Sequence, residues 1–169
     1  SHTAVVAARH SLRTLSRERV ADELLKTLSL PMPLAVVEQM AADGVLAEIL
    51  PEADRGGLER LARLLDNEAL VAAPAKALRR LAALLPSAAA ADAASARLRL
   101  SKRQREYLLA LTNGGKDALE MPVRVLAYRI GVDAAKDRWL LASAPEQLAP
   151  ALDALVGWSV PQFPVKGSM

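Results

Sequence analysis

The chain has 169 residues, 52% hydrophobic and 24% charged, which is enough apolar material for a packed core and unlike a disordered chain. It has no cysteine and only two histidines, His2 and His10, which excludes a disulfide framework, thiolate chemistry and a multi-histidine metal cage. The net charge is +3, and the longest uncharged run, residues 154–165, is too short to span a bilayer, so neither a transmembrane helix nor a signal peptide is expected and the location is read as cytoplasmic.

Aromatic residues make up only 3%, whereas a strand-rich chain draws on Val, Ile and aromatics. Alanine and leucine, the best helix formers, dominate instead. The expectation is an all-α fold of about eight helices in a bundle-like array. Ser16 reads as an N-cap with Glu18 in the first turn, and Val20, Leu24 and Leu28 fall on one stripe. Arg19 with Glu23, and Asp22 with Lys26, are i,i+4 charge pairs. Pro31 and Pro33 end this helix; Leu34, Val37 and Ala41 form the inner face of the next, with Gly44 closing it. A turn runs through Leu46, Ile49 and Leu50 to Pro51, and Gly56-Gly57 punctuates the chain.

Leu58, Leu61 and Leu65 mark another stripe. Pro74 is expected to start a helix with Leu78, Leu81 and Leu85 inward and Lys76, Arg79 and Arg80 mostly outward. Residues 87–96, nearly all Ala, Ser and Asp, fit a loose helix or a flexible crossover, and their low complexity favours a mobile surface segment. Ser101 and Gln104 form a capping box ahead of Tyr107, Leu108 and Leu111, and Asn113-Gly114-Gly115 ends that helix. Pro122 begins a helix ending at Gly131, Asp133 caps the next, and Pro145 opens the last, with Leu148, Leu152 and Leu155 inward. Residues 158–169 read as an extended tail.

Charge is unevenly distributed. Residues 38–68 sum to −5 and residues 69–138 to +7. The densest basic stretch is Arg97, Arg99, Lys102, Arg103 and Arg105, with no acid among them. Such a cluster neutralises phosphates without reading sequence; a solvated helix face is the competing reading. Tyr107 is the aromatic near enough to stack a base.

Catalytic patterns are missing from the sequence. There is no Asp-x-Asp metal pair and no Gly-x-Ser-x-Gly elbow, and Gly114-Gly115-Lys116 lacks the rest of a phosphate loop. The carboxylate pairs Glu52/Asp54 and Asp66/Glu68 fall in the acidic block and read as surface charge. No catalytic or metal-binding residue is assigned.

Several motifs carry a resemblance in the right order. Leu15-Ser16-Arg17-Glu18-Arg19-Val20-Ala21-Asp22-Glu23-Leu24-Leu25-Lys26 resembles the S-x-E-R-[IV]-x-x-E-L-x-K signature of tRNA nucleotidyltransferases, the CCA-adding class that includes bacterial poly(A) polymerases. Gly44-Val45-Leu46 and Ile49-Leu50-Pro51-Glu52 look like the stretch that follows it. Arg97-Leu98-Arg99-Leu100-Ser101, the Val123–Leu141 region and Pro161-Gln162-Phe163-Pro164-Val165-Lys166-Gly167 are similar to later segments of the family. The family's phosphate-binding Gly-Ser, its Asp-x-Asp and its nucleotide-templating Glu-Asp-x-x-Arg have no counterpart here.

The resemblance implies a neck end over residues 1–31, a helical body over 32–112 and a tail over 113–169, one continuous domain being the alternative. It implies a part that holds the acceptor and T-arm side of tRNA, while a catalytic head outside this sequence adds nucleotides to the 3′ end. Mg²⁺ and ATP or CTP are expected only with that head; no cofactor is expected here, and neither a membrane nor DNA as partner. On the motif, the resemblance falls on Ser16, Glu18, Arg19, Glu23 and Lys26, read as a capped, charge-stiffened scaffold. Arg97, Arg99, Lys102, Arg103 and Arg105 are the candidate RNA contacts. The alternative function is a helical protein-interaction module with no RNA role.

Overall fold

A computed structural model describes residues 17–162, apart from the side chains of residues 116 and 117. Every regular element among them is helical: α1 (17–28), α2 (Leu34–Ala42), α3 (Val45–Ile49), α4 (Gly57–Leu70), α5 (Ala77–Leu84), α6 (Ala88–Arg97), α7 (Lys102–Thr112), a 3₁₀ helix (Gly115–Glu120), α8 (Val123–Ile130), α9 (Val132–Ala142) and α10 (Pro145–Asp153). No strand occurs among the described residues, and no helix among them is long and apolar enough to cross a membrane. The expected all-α fold is the one observed. The Ser16 cap lies outside the described residues.

The leucine stripes point inward in the main, although Leu58, Leu65 and Leu78 are only half-buried and Leu64 and Leu84 take core positions beside them. Leu24, Leu28, Leu61, Leu64, Leu81, Leu84, Leu108 and Leu148 are almost completely buried in one cluster that joins α1, α4, α5, α7 and α10. Each such side chain contributes on the order of 1.5–3 kcal/mol by leaving water. A smaller cluster, with Val123 and Leu126 of α8, Ala135 of α9 and Leu155, lies beside it. Helix α9 serves both, since its Ala134 and Leu140 belong to the larger one. Small residues set the closest approach: a Cβ on Gly57, at the start of α4, would lie 3.0 Å from the Leu84 carbonyl oxygen and press on the α5 backbone.

Two kinds of sequence expectation are corrected, the first concerning helix limits. Residues 88–97 form helix α6, capped by Ser87, whose Oγ accepts from Ala90 N–H at 3.1 Å. Ala91 and Ala94 are fully buried. Alanine supplies helix propensity without bulk, so this helix packs closely with no stripe of large residues to announce it. Pro74 likewise lies ahead of α5, which starts at Ala77.

The second correction concerns charge. Arg79 and Arg80 are only 2% and 4% exposed, and Glu68 is buried rather than part of an acidic surface. Glu68 bridges the two arginines: its Oε2 accepts from Arg79 Nε at 2.9 Å and its Oε1 from Arg80 Nη2 at 2.8 Å. Arg79 Nη1 also donates to Asp137 Oδ1 at 3.0 Å, and Arg80 Nη1 donates to the Leu28 and Leu30 carbonyls at 2.7 and 2.6 Å. Asp137 further accepts from Lys76 Nζ at 2.7 Å and from the Tyr107 hydroxyl. Bare charges in this interior would cost several kcal/mol each; the paired, hydrogen-bonded set tolerates burial. One network therefore ties the C-terminal end of α1 to α4, α5, α7 and α9.

Other buried polar groups cap helix ends. Asn67 donates to the Leu140 and Ser143 carbonyls at the end of α9, at 2.9 and 3.1 Å. Arg138 donates to the Ala110, Asn113 and Gly115 carbonyls where α7 ends, and burial lowers its pKa. These bonds satisfy C-terminal carbonyls that a helix leaves without internal partners.

Candidate nucleic-acid interface

The basic stretch lies where α6 ends and α7 begins. Arg99 N–H bonds the Ala96 carbonyl and Leu100 N–H bonds the Ser95 carbonyl, the paired closure of a Schellman turn. Arg99 occupies its left-handed position at φ 53°, a place that favours glycine. A long cationic side chain there is held against a backbone preference. Two residues later the Ser101–Gln104 capping box forms as the sequence predicts: Ser101 Oγ accepts from Gln104 N–H at 3.1 Å and Gln104 Oε1 from Ser101 N–H at 2.9 Å.

The capping box takes one of the first N–H groups of α7; those of Lys102 and Arg103 remain directed outward. No acid occupies the first turn, while Lys102, Arg103 and Arg105 do. Three cations at the positive end of a helix oppose its dipole by roughly 0.3–1 kcal/mol each at low salt. The arrangement becomes favourable once an anion binds there.

The five residues are not equivalent. Arg97 Nε donates to Glu52 Oε1 at 2.6 Å, and Arg105 lies 2.5 Å from Asp92. Lys102 sits 4.0 Å from Glu106, both largely exposed. Arg103 is exposed and has no ion-pair partner among the described residues. It lines a groove of about 490 Å³ with Lys76, Leu78, Ser101, Gln104, Tyr107 and Asp133. Arg103 is thus brought together with Lys76 and the α7 cap, while Arg97 and Arg105 are held by acids on the loop after α3 and on α6.

Tyr107 is not an open stacking platform. Its ring is partly buried, Lys76 Nζ lies over it at 5.3 Å, and its hydroxyl donates to Asp137. Burial, reinforced by the Asp137 carboxylate, pushes the phenol far above the usual tyrosine range. A surface with cations and no free aromatic face suits phosphate contact rather than base stacking.

Within the signature motif, Glu18, Arg19, Glu23 and Lys26 lie exposed on α1. Lys26 approaches Glu23 at 3.7 Å, an i,i+3 pair in place of the expected Asp22–Lys26 pair. Ser16 lies outside the described residues. Beyond the shared core, polar contacts anchor this N-terminal third to the described residues after it, among them the Arg80 bonds to Leu28 and Leu30, the Glu52–Arg97 pair, and Arg60 with Asp54. The hydrogen bonds and charge of Arg60 hold the Asp54 carboxyl below the ordinary carboxylate range. Glu52 keeps its second carboxylate oxygen buried with no partner among the described residues. Sequence reasoning missed Glu52 and Lys76 as parts of this face, because their partners are 45 and 61 residues away.

Comparison with curated proteins gives no match, and comparison with solved structures gives none either. Comparison with protein families places the N-terminal third: residues 1–56 match the family described as "Probable RNA and SrmB-binding site of polymerase A". The match supports an RNA-binding region of the poly(A) polymerase type, and its residues include Glu52, the partner of Arg97 in the basic segment.

Proposed function

We propose that this chain holds tRNA for a CCA-adding tRNA nucleotidyltransferase or a poly(A) polymerase-like protein, gripping the acceptor and T-arm side. Nucleotidyl transfer, with its Mg²⁺ and ATP or CTP, belongs to a separate head domain. The division into neck end, body and tail near residues 31 and 112 is part of this reading. The observation that carries it is the cationic first turn of α7, where Arg103 has no ion-pair partner among the described residues beside outward N–H groups. The family match over residues 1–56 supports an RNA partner. A helical surface without an open aromatic platform suits a double-helical RNA read by shape and phosphate.

The test is a comparison by fluorescence anisotropy of three RNAs: a tRNA, a base-paired acceptor–T-arm minihelix and single-stranded poly(A). The tRNA and the minihelix are expected to bind more tightly than poly(A). Equal or tighter binding of poly(A) would overturn the tRNA assignment, and absence of binding to all three would overturn the RNA role. A groove of about 670 Å³ near Pro31, Met32, Leu34 and Ala69, with Met32 85% exposed, favours the protein-interaction reading in that last case.

A further inference from the structure

We propose that the cleft among α4, α5, α7 and α9, lined also by the α6 cap residue Ser87, is a phosphate site that takes a phosphate monoester, separate from the α7 edge. The cleft has a volume of about 300 Å³, and its walls include Arg60 and Arg63 of α4, Ser87 at the start of α6, Thr112 of α7 and Arg138 of α9. No aspartate or glutamate lines it among the described residues.

Charge bookkeeping sets the ligand class. Asp54, outside the wall, neutralises Arg60, whose Nε is held by the Ala83 carbonyl at 2.8 Å. Arg63 is exposed and has no ion-pair partner among the described residues. Arg138 is 5% exposed and donates to backbone carbonyls, which orient it without cancelling its charge. The three arginines and one aspartate leave an excess of two positive charges. The first turn of α6 adds its dipole: it contains no acid, and Ser87 Oγ takes Ala90 N–H, leaving the N–H groups of Ala88 and Ala89.

The excess matches a phosphate monoester, which carries about −1.5 to −2 at neutral pH. An internal phosphodiester brings one negative charge and a sugar on either side, whereas the cleft lies at the small end of ligand pockets, about 300–1,000 Å³. A terminal phosphate enters with one substituent trailing outward. Arg63 is then the mobile arm that closes on the anion, and Arg138 is the fixed wall, its guanidinium already oriented before any ligand arrives.

Two sources share this chemistry: the 5′-terminal phosphate of an RNA, which rests on the RNA-holding reading, and a small phosphorylated molecule, which does not. Inorganic phosphate is titrated against the full chain at constant ionic strength, with backbone amide shifts as the readout. Saturable shifts are expected at Ala88, Ala89 and Thr112. Arg63→Glu abolishes them, Arg63→Gln weakens binding about tenfold, equivalent to one charge-assisted hydrogen bond, and Arg103→Ala leaves them in place. Unsaturable shifts, or shifts unchanged in a folded Arg63→Glu or Arg63→Gln chain, overturn the site. One RNA is then compared with a 5′-phosphate and with a 5′-hydroxyl. A preference for the phosphorylated form that Arg63→Glu erases assigns the RNA end; equal affinity beside a positive phosphate titration assigns the small molecule. RNA binding without phosphate shifts in the cleft sinks this inference alone, whereas phosphate shifts without RNA binding sink only the RNA-holding reading.

Discussion

Two arginine-rich stretches lie about one helix apart in the basic part of the chain, and the fold uses them in opposite ways. Arg79 and Arg80 are buried and saturated by Glu68, Asp137 and backbone carbonyls. Arg97, Arg99, Lys102, Arg103 and Arg105 lie at the junction of α6 and α7, where the acids opposite them satisfy only some. The difference is not announced by arginine content, since both are arginine-rich stretches with leucine beside the arginines. It comes from where carboxylates arrive in three dimensions. Four-way pairing makes an interior brace; incomplete pairing at a helix N-terminus leaves charge for an outside anion.

The interior half of the comparison is broken most directly at its bridge. Glu68→Ala removes the carboxylate shared by both arginines and leaves the buried Arg80 without an acid partner among the described residues, while Arg79 keeps Asp137. A loss of about 3–5 kcal/mol is expected in denaturant unfolding. A loss below about 1 kcal/mol, the level of an exposed pair, would mean that the network is not a brace.

Tyr107 sits at the boundary between the two regions. Tyr107→Phe removes one hydrogen bond to Asp137, which keeps Lys76 and Arg79, so a loss of about 1 kcal/mol is expected. Its pKa is raised on folding, so the folded chain retains the proton after the unfolded chain has released it near pH 10. Stability present below that pH is therefore lost as pH rises above it, and this alkaline loss is expected to shrink in Tyr107→Phe. An identical alkaline slope in the two chains would place the phenol in open solvent.

The contact between Asp54 and Arg60 tests the anchoring of the N-terminal third. The Asp54 pKa is lowered from 3.8, so its contribution is present above that value and lost as pH falls through the lower folded value. Asp54→Asn is expected to melt with a shallower dependence on pH below about 4, where carboxylates protonate. An unchanged dependence would show that Arg60 does not favour the charged carboxylate.

The smallest expected effect sharpens the surface half. Asp92→Asn releases Arg105 from its 2.5 Å partner without touching the core. Exposed pairs are worth about 0.2–1 kcal/mol, so RNA affinity is expected to rise by a few-fold at most, measured by anisotropy at low salt. Weaker binding would mean that Asp92 positions Arg105 for RNA rather than competing with it.

The helices and the capping of α7 were legible in the sequence because both are local: a stripe such as Leu24 and Leu28, or the Ser101–Gln104 box, is complete within a few residues. Helix α6 was not, since its low-complexity run of Ala, Ser and Asp carries no stripe of large apolar residues, and its buried Ala91 and Ala94 need a partner helix to be recognised as core. The burial of Arg79 was also hidden, because Glu68 is 11 residues away and Asp137 is 58. The five candidate RNA contacts were found as a charge run, but their ranking was not. Only the positions of Glu52 and Asp92 separate Arg97 and Arg105 from Arg103.

The central claim is that the α7 edge binds RNA phosphate, and the salt dependence of tRNA affinity in the parent and in Arg103→Ala tests it most directly. Arg103 touches no core residue through an ion pair, so its loss is expected to leave thermal stability within about 0.5 kcal/mol, as for ordinary surface substitutions. The account predicts weaker tRNA binding for Arg103→Ala at low salt, with a slope of log affinity against log salt shallower by about 1, one phosphate contact. Equal affinity and an equal slope in the two chains would contradict it.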